Sequence, residues 1–248
     1  MKWERSMWGD IRAAFSFLTI LPLGHVEGRK PSWSFAWYPL VGLGIGSILM
    51  VIARFSPFGS DITAFLVVLG WAILTGGLHL DGFGDSCDGL LATVSPERRL
   101  EIMKDPRTGT WAVAGLMLLL LGKWTMVATI APIMFIVPPV IGRWGMVVAA
   151  YAFPYGRASG VGGYFRDGLG RVQIALATLS MVMIVALIGL ATHPAVLALI
   201  PLAAIVIFGF GRWSAQRLGG GITGDIYGAL CELLELLCLL GLSLWVSG

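Results

Sequence analysis

The sequence predicts an all-α fold, a polytopic membrane helix bundle of about seven transmembrane helices plus an N-terminal interfacial helix. The first observation is composition: 57% of the residues are hydrophobic and only 12% are charged, whereas about a quarter are charged in a soluble domain. The second is that the apolar residues form blocks long enough to cross a bilayer core, which takes roughly 20 helical residues. Within lipid, such blocks satisfy their backbone as helices. We therefore predict a single integral membrane domain over residues 1–248.

The predicted elements follow in order along the chain. The N-terminal segment MKWERSMWGDIRAAFSFLTILPLG carries charges of both signs and lacks the pattern of a secretory signal. Its aromatic and aliphatic positions favour a helix lying in the membrane interface. The predicted membrane spans cover residues 37–54, 62–80, 110–131, 133–153, 172–192, 195–212 and 226–246.

The basic residues predict how this bundle is oriented. Fourteen of the 17 Lys and Arg residues fall in the N-terminal segment and in the loops after the second, fourth and sixth spans, and one falls on the opposite side. Loops rich in Lys and Arg stay in the cytoplasm. We therefore expect a multi-pass protein whose N-terminus and polar loops are cytoplasmic and whose C-terminus is external.

Three aspartates follow the second span, in GGLHLDGFGDSCDGL. Asp81, Asp85 and Asp88 are spaced i, i+4 and i+7, which places them on one face of a helix. Neighbouring anions repel one another, so the arrangement is costly unless a cation lies between them. Carboxylate oxygens favour a hard ion such as Mg²⁺, whose shell substrate phosphates often complete. The alternative is a solvated, capped helix end, where Asp is common.

A second set of acids begins the last span, in GGGITGDIYGALCELLELL. Asp225 and Glu232 share a helix face, and Glu232 and Glu235 fall inside the predicted hydrocarbon region. An unpaired acid is costly there, so a polar interior site is one interpretation. The other is ion pairing with Lys123 or Arg143, the two cations that lie within predicted spans.

Basic residues near the acids are typical of a phosphate-binding site. Lys104 and Arg107 lie in a turn bounded by Pro and Gly, and Arg157 lies in a loop of glycines and aromatic residues. Lys123 and Arg143 require a counter-ion, either a glutamate of the last helix or a substrate phosphate. The candidate substrate-binding residues are His79, Lys104, Arg107, Lys123, Arg143 and Arg157.

These parts favour group transfer at a phosphoanhydride, because such catalysis consists mostly of positioning and charge neutralisation around a metal ion. An acid of the second set could orient or deprotonate the attacking group. The candidate catalytic residues are Asp81, Asp85, Asp225 and Glu232. The candidate Mg²⁺ ligands are Asp81, Asp85, Asp88 and Asp225. The sequence contains no P-loop, which disfavours nucleotide hydrolysis.

Several motifs together resemble the cobalamin synthase family, the adenosylcobinamide-GDP ribazoletransferases. They are HLDGFGDSCDGL, LEIMKDPRTGTW, GGGITGDIYGALCELLE and the early FLTILPLG and WYPLVGLGIG, in the family's order along nearly the whole chain. The resemblance implies that α-ribazole or its 5′-phosphate is joined to adenosylcobinamide-GDP with release of GMP. It also implies Mg²⁺ as cofactor and a bacterial cytoplasmic (inner) membrane location. By position, it assigns Asp81, Asp85 and Asp88 to the first acidic motif, Lys104 and Arg107 to the basic loop, and Asp225 and Glu232 to the C-terminal motif.

The resemblance also implies the partners, and two other functions compete with it. It implies corrinoid-GDP and α-ribazole (phosphate) as substrates, contact with membrane lipid and no nucleic acid, and it leaves open a homo-oligomer or association with other cobalamin-assembly enzymes. A CDP-alcohol phosphotransferase also places aspartates on one helix face at a membrane surface. Its motif needs an Ala-Arg pair and a fourth Asp, which the motif around Asp81, Asp85 and Asp88 lacks. An ion-coupled transporter would use Glu232, Glu235 and Lys123 as a proton relay.

Overall fold

A computed structural model describes residues 7–23, 31–157 and 161–246. The α-helices are α1 (Met7–Leu18), α2 (Tyr38–Phe55), α3 (Ser60–Leu74), α4 (Leu78–Leu91), α5 (Pro96–Ile102), α6 (Thr110–Val127), α7 (Val137–Ala152), α8 (Val161–Arg166), α9 (Arg171–Ala191), α10 (Leu199–Arg217) and α11 (Gly224–Val246). Short 3₁₀ helices at Pro31–Trp37, Pro132–Ile136 and Pro194–Ala198 lead into α2, α7 and α10. The described residues contain no strand, so the predicted all-α fold is confirmed.

Six segments of the described chain are long and apolar enough to cross a membrane, and they match six of the predicted spans. These segments are Pro31–Phe55, Thr110–Val127, Pro132–Ala152, Arg171–Ala191, Pro194–Arg217 and Gly224–Leu244. Helices α3 and α4 pass the same test only as a pair, bent by 89° at their junction. The pair forms either a broken seventh span or a re-entrant loop.

Two glycines break the second predicted span. Gly76 and Gly77 have φ values of +60° and +70°, in the left-handed region that residues with a Cβ rarely adopt. Helix α3 therefore ends at Leu74, and α4 begins at Leu78 in a new direction. The predicted span over 62–80 is therefore not one continuous helix, because the apolar pattern does not register this change of backbone conformation. The first acidic motif consequently lies on a helix of its own.

Helices α7 and α11 form the centre of the bundle. Buried residues make up 89% of the span that contains α7 and 67% of the span that contains α11, against 22% for the span that contains α6. Helix α2 lies directly on α7, since a Cβ on Gly42 would come within 2.4 Å of the Pro139 carbonyl oxygen. Small residues permit such close backbone contact between membrane helices.

Helix α1 packs on the outside of this bundle. It buries Ala14 and Leu18 completely and leaves Trp8 69% exposed, which suits the predicted interfacial helix. Its position relative to the membrane stays a prediction, as does the orientation of the bundle. Four basic residues used for that orientation, Lys2, Arg5, Arg29 and Lys30, lie outside the described residues.

Candidate functional site

Helices α4 and α11 bring together two aspartates that are distant in sequence. A Cβ on Gly82 would come within 2.9 Å of the backbone oxygen of Asp225, and a Cβ on Gly228 within 3.3 Å of His79 Cα. The two helices therefore touch through their backbones, and the contact is closest at Gly82, where a Cβ would clash. As a result, Asp81 and Asp225 line one cavity of about 300 Å³.

Aromatic and apolar side chains from α1, the 3₁₀ helix before α2, α2, α7, α11 and the loop after α7 form most of the cavity wall. These residues are Phe17, Phe35, Tyr38, Met146, Tyr155 and Tyr227. The polar members of the wall are His79, Asp81, Arg157 and Asp225. The cavity thus combines an apolar wall with acidic and basic groups, as small-molecule sites commonly do.

Arg157 reaches Asp225 because the loops that carry them are paired. An isolated parallel bridge joins Tyr155, after α7, to Ile222, before α11. Arg157 Nη2 then lies 2.8 Å from Asp225 Oδ2, and the Thr223 hydroxyl donates to the same carboxylate at 3.1 Å. Sequence analysis selected Arg157 and Asp225 separately, and the structure pairs them within one cavity.

Asp88, a predicted metal ligand, is a helix cap. Its Oδ2 accepts the N–H of Gly109 at 2.7 Å, and its Oδ1 accepts the N–H of Ala112 at 2.9 Å. These bonds satisfy N–H groups that the first turn of α6 leaves unpaired, at the helix end that favours negative charge. The capped-helix interpretation therefore describes Asp88, although the helix that it caps is α6 rather than its own.

The remaining aspartates form a looser group than a preformed metal centre. Half-buried Asp85 is repelled by Asp81, Asp225 and Asp88 and attracted by Arg157, so these charges lie within electrostatic reach of one another. Across 7–23, 31–157 and 161–246, no three His, Cys, Asp or Glu side chains are arranged to hold a metal ion. The donor chemistry fits the Mg²⁺ mode in which one or two carboxylates bind and substrate phosphates complete the shell.

Glu232 lies apart from the cavity, in a buried ion network of α6, α7 and α11. Lys123 Nζ donates to Glu232 at 2.6 Å and also pairs with Glu235. Arg143 Nη1 pairs with the other oxygen of Glu235. The four side chains are at most 3% exposed.

Of the two interpretations of these charges, the structure shows ion pairing inside the bundle. Charged groups in an apolar interior are paired with one another because an isolated charge is costly there. None of Lys123, Arg143 and Glu232 lines the cavity that contains Asp81 and Asp225. The structure therefore does not bring the predicted catalytic Glu232 together with the other acids, nor Lys123 and Arg143 with a ligand site.

The basic loop between α5 and α6 lies beside the cavity without lining it. Arg107 donates to both carboxylate oxygens of Asp105, at 2.9 and 2.7 Å, and its side chain is 87% exposed. This pairing lowers the pKa of Asp105 below its usual range. Lys104 is exposed, and the preceding Met103 carbonyl accepts a bond from Arg157 at 3.4 Å. The loop therefore begins next to the cavity cation, and its own cations point to solvent.

Sequence reasoning missed the groups that end α4. Arg99 donates to the carbonyls of Gly89 and Leu90, and Arg217 donates to that of Leu90. Two guanidinium groups thus satisfy the carbonyls at the C-terminus of α4, where cations are favourable. The only signal in the sequence was the count of cations in the loops, which predicts topology and not contacts. The aromatic wall was missed too, because Tyr227 cannot be told from a packing residue by its spacing from Asp225.

The fold and the cavity define a class of protein, a polytopic membrane protein with a carboxylate-bearing pocket between two helices. Within that class, the chain belongs to the cobalamin-5-phosphate synthase family, whose model matches residues 10–243. This confirms the family resemblance of the motifs.

Named relatives support the same assignment. The chain is 35% identical to the adenosylcobinamide-GDP ribazoletransferase of Desulfitobacterium hafniense (strain Y51), with 96% of each chain aligned. Proteins with the same name from Roseiflexus sp. (strain RS-1) and Desulforamulus reducens are 36% and 37% identical. The alignments cover 97% and 92% of this chain, and 92% and 94% of those relatives. No solved structure matches the chain.

Proposed function

We propose that this protein is an adenosylcobinamide-GDP ribazoletransferase, a transferase of cobalamin synthesis. It joins α-ribazole or its 5′-phosphate to adenosylcobinamide-GDP and releases GMP, completing the nucleotide loop. The observation that carries the proposal is the family match over residues 10–243, with relatives of that name aligned along nearly their whole length. The cavity between α4 and α11 supports it, because it presents acids and a cation beside an apolar wall.

In the proposed reaction, a ribose hydroxyl of ribazole attacks the phosphorus next to cobinamide. The bond from that phosphorus to the bridging oxygen breaks, and GMP leaves with this oxygen. Asp81 or Asp225 accepts the proton of the attacking hydroxyl, since both carboxylates line the cavity. Arg157, which pairs with Asp225 at 2.8 Å, exchanges this partner for a phosphate oxygen and stabilises its charge.

We further propose that one or two of the carboxylates of Asp81, Asp85 and Asp225 bind Mg²⁺ and that substrate phosphates complete its shell. When bound, the ion neutralises charge that develops on the pyrophosphate. Asp88 is left out of this set, because both of its carboxylate oxygens hold the first turn of α6. Lys104 and Arg107 are proposed to contact the part of the nucleotide that extends beyond the cavity.

The proposed location is the bacterial inner membrane with the cavity facing the cytoplasm. It is supported by the six spanning segments and by the excess of Lys and Arg on one side of them. A reporter fused within the loop at Pro106 is expected to be cytoplasmic, and an external signal there would contradict this orientation.

The decisive experiment measures GMP released from adenosylcobinamide-GDP by the purified full-length protein. Release is expected only when α-ribazole or its 5′-phosphate is present and when Mg²⁺ is supplied. Asp225→Asn is expected to abolish release, whereas Asp61→Asn, a matched change at the start of α3 outside the cavity, should retain it. Release of GMP without ribazole would indicate a hydrolase, and no release under any condition would overturn the proposal.

A further inference from the structure

We infer that the cavity between α4 and α11 binds the planar base of ribazole, with His79 and Tyr227 supplying its polar contacts. The inference rests on the proposed function, since it assigns one of the two proposed substrates to this pocket. It goes beyond that function because it names the residues that would set base specificity. Three features of the cavity carry it.

The first feature is the size and character of the wall. A volume of about 300 Å³ is at the lower end of the roughly 300–1,000 Å³ typical of small-molecule sites. It suits a nucleoside and excludes a corrin ring with its amide side chains. Phe17, Phe35 and Met146 present apolar surface on this wall. Ribazole is the riboside of a dimethylbenzimidazole, whose flat apolar faces pack well against aromatic side chains.

The second feature is a set of buried polar atoms without partners, which includes the Tyr38 hydroxyl on α2 and, on the two helices that form the cavity, one atom each of His79 and Tyr227. His79 is 1% exposed and Tyr227 is 4% exposed. Within the described part of the chain, neither His79 Nε2 nor the Tyr227 hydroxyl has a hydrogen-bond partner. A buried polar group without a partner is unfavourable, so such atoms are normally satisfied. Both residues line the cavity, and a ligand that supplies an acceptor nitrogen would satisfy either one.

The third feature separates ribazole from guanosine. The Watson–Crick edge of guanine carries adjacent N–H donors that require a carboxylate or amide acceptor. The cavity acids do not provide it at depth, because Asp81 is exposed and Asp225 is partly exposed and paired with Arg157. The buried wall instead offers single polar atoms, which are His79 Nε2 and the hydroxyls of Tyr38 and Tyr227. A benzimidazole riboside has one free ring nitrogen, which one donor satisfies.

This arrangement also orients the nucleoside for reaction. With the base at the buried end, beside His79 and Tyr227, the ribose extends towards the more exposed Asp81 and Asp225. The attacking hydroxyl then lies next to the carboxylates proposed to accept its proton. One binding mode therefore satisfies one of these buried polar atoms and presents the nucleophile.

The test is direct binding of α-ribazole to full-length protein in detergent, measured by calorimetry without corrinoid or Mg²⁺. Tyr227→Phe removes only the hydroxyl and is expected to weaken α-ribazole binding about 3–10-fold, the equivalent of one hydrogen bond. Met146→Trp fills the cavity and is expected to abolish binding. Tyr151→Phe, a change on an exposed tyrosine of α7, is the matched control and should bind as the wild type does.

Stability distinguishes lost recognition from misfolding. Tyr227→Phe removes a buried hydroxyl that has no partner, so its melting temperature without ligand should equal or exceed that of the wild type. In turnover, Tyr227→Phe should raise the KM for α-ribazole and leave the KM for adenosylcobinamide-GDP unchanged. Weakened binding with unimpaired stability supports the inference.

Other results would overturn the inference without touching the proposed function. Unchanged α-ribazole binding in Tyr227→Phe and Met146→Trp, with normal wild-type turnover, would place the base elsewhere. Displacement of bound α-ribazole by GMP, but not by free dimethylbenzimidazole, would assign the cavity to guanine. Conversely, absence of GMP release by the wild type would defeat the proposed function, while the binding result would still test the cavity.

Discussion

The cavity and the ion network differ in how completely their polar groups are paired with one another. In the network, two cations and two anions from α6, α7 and α11 pair with one another. In the cavity, Asp81 and Asp225 lie beside one cation, Arg157. His79 Nε2 and the Tyr227 hydroxyl also lack partners there.

This difference separates structural polar groups from those that face a ligand. Charges that balance internally hold helices together and leave nothing to offer a substrate. An excess of acids beside unpartnered polar atoms is unfavourable without a ligand and indicates a functional site. Unpartnered polar atoms are not confined to the cavity, since Nε and Nη2 of Arg143, in the ion network, also have no partner among the described residues. Balance of charge is therefore the clearer criterion.

The largest expected effect is on catalysis at the cavity. Asp81→Asn keeps the size of the side chain and removes its charge, so GMP release should fall at least about 100-fold if this carboxylate supports proton transfer or metal binding. The melting temperature should not fall, because relief of repulsion among the aspartates offsets the loss of the charge. Near-normal turnover of this variant would remove Asp81 from the site.

The ion network should show the opposite pattern, a loss of stability. Lys123→Met leaves Glu232 buried without a cation, which should lower the free energy of unfolding by about 3–5 kcal/mol. The double variant Lys123→Met, Glu232→Met should regain much of this, because the Arg143–Glu235 pair remains balanced. Unfolding in detergent measures the free energy of unfolding of both variants. Lys104→Met, at an exposed lysine, is the matched control and should leave it unchanged. An unchanged stability accompanied by a raised KM for adenosylcobinamide-GDP would instead make Lys123 a substrate ligand.

The smallest expected effect concerns Asp88, which shares a helix face with the cavity acids and yet caps α6. Asn keeps one of the two acceptor oxygens of Asp88 and places an NH2 group against the other N–H, so Asp88→Asn should lower the free energy of unfolding. It should keep both turnover and Mg²⁺ dependence, because Asp88 is not among the proposed ligands. Asp88→Ala removes both acceptors and should lower the free energy of unfolding by about 1–3 kcal/mol. A strong loss of turnover in Asp88→Asn, measured beside Asp81→Asn, would return Asp88 to the metal-binding set.

Much of this architecture was predictable from sequence, because long apolar blocks must be helical in lipid. The break at Gly76 and Gly77 was not predictable, since mean hydropathy is summed over a segment and does not depend on the sign of φ. The shared face of Asp225 and Glu232 was predicted from their spacing. Seven residues, however, advance a helix by about 10 Å, so one side chain reaches the cavity and the other the bundle interior.

The partners of the polar groups could not be predicted for a related reason. Spacing along one helix places residues on a face, but the neighbours of that face come from other parts of the chain. Asp88 meets the first turn of α6, and Lys123 meets a glutamate 109 residues away. Family resemblance grouped Asp81, Asp85 and Asp88, and the structure separates them, because Asp81 lines the cavity whereas Asp88 caps α6.

The 89° turn between α3 and α4 determines how the site responds to its bilayer. Spanning helices adjust to membrane thickness by tilting, and the two left-handed glycines form a joint at which α3 can tilt independently. Helix α4 is fastened elsewhere, to α11 through the backbone contact at Gly82 and at its far end by the Arg99 and Arg217 guanidinium groups. We therefore expect tilting of α3 to be absorbed at the joint, so that Asp81 keeps its distance from Asp225 in membranes of different thickness.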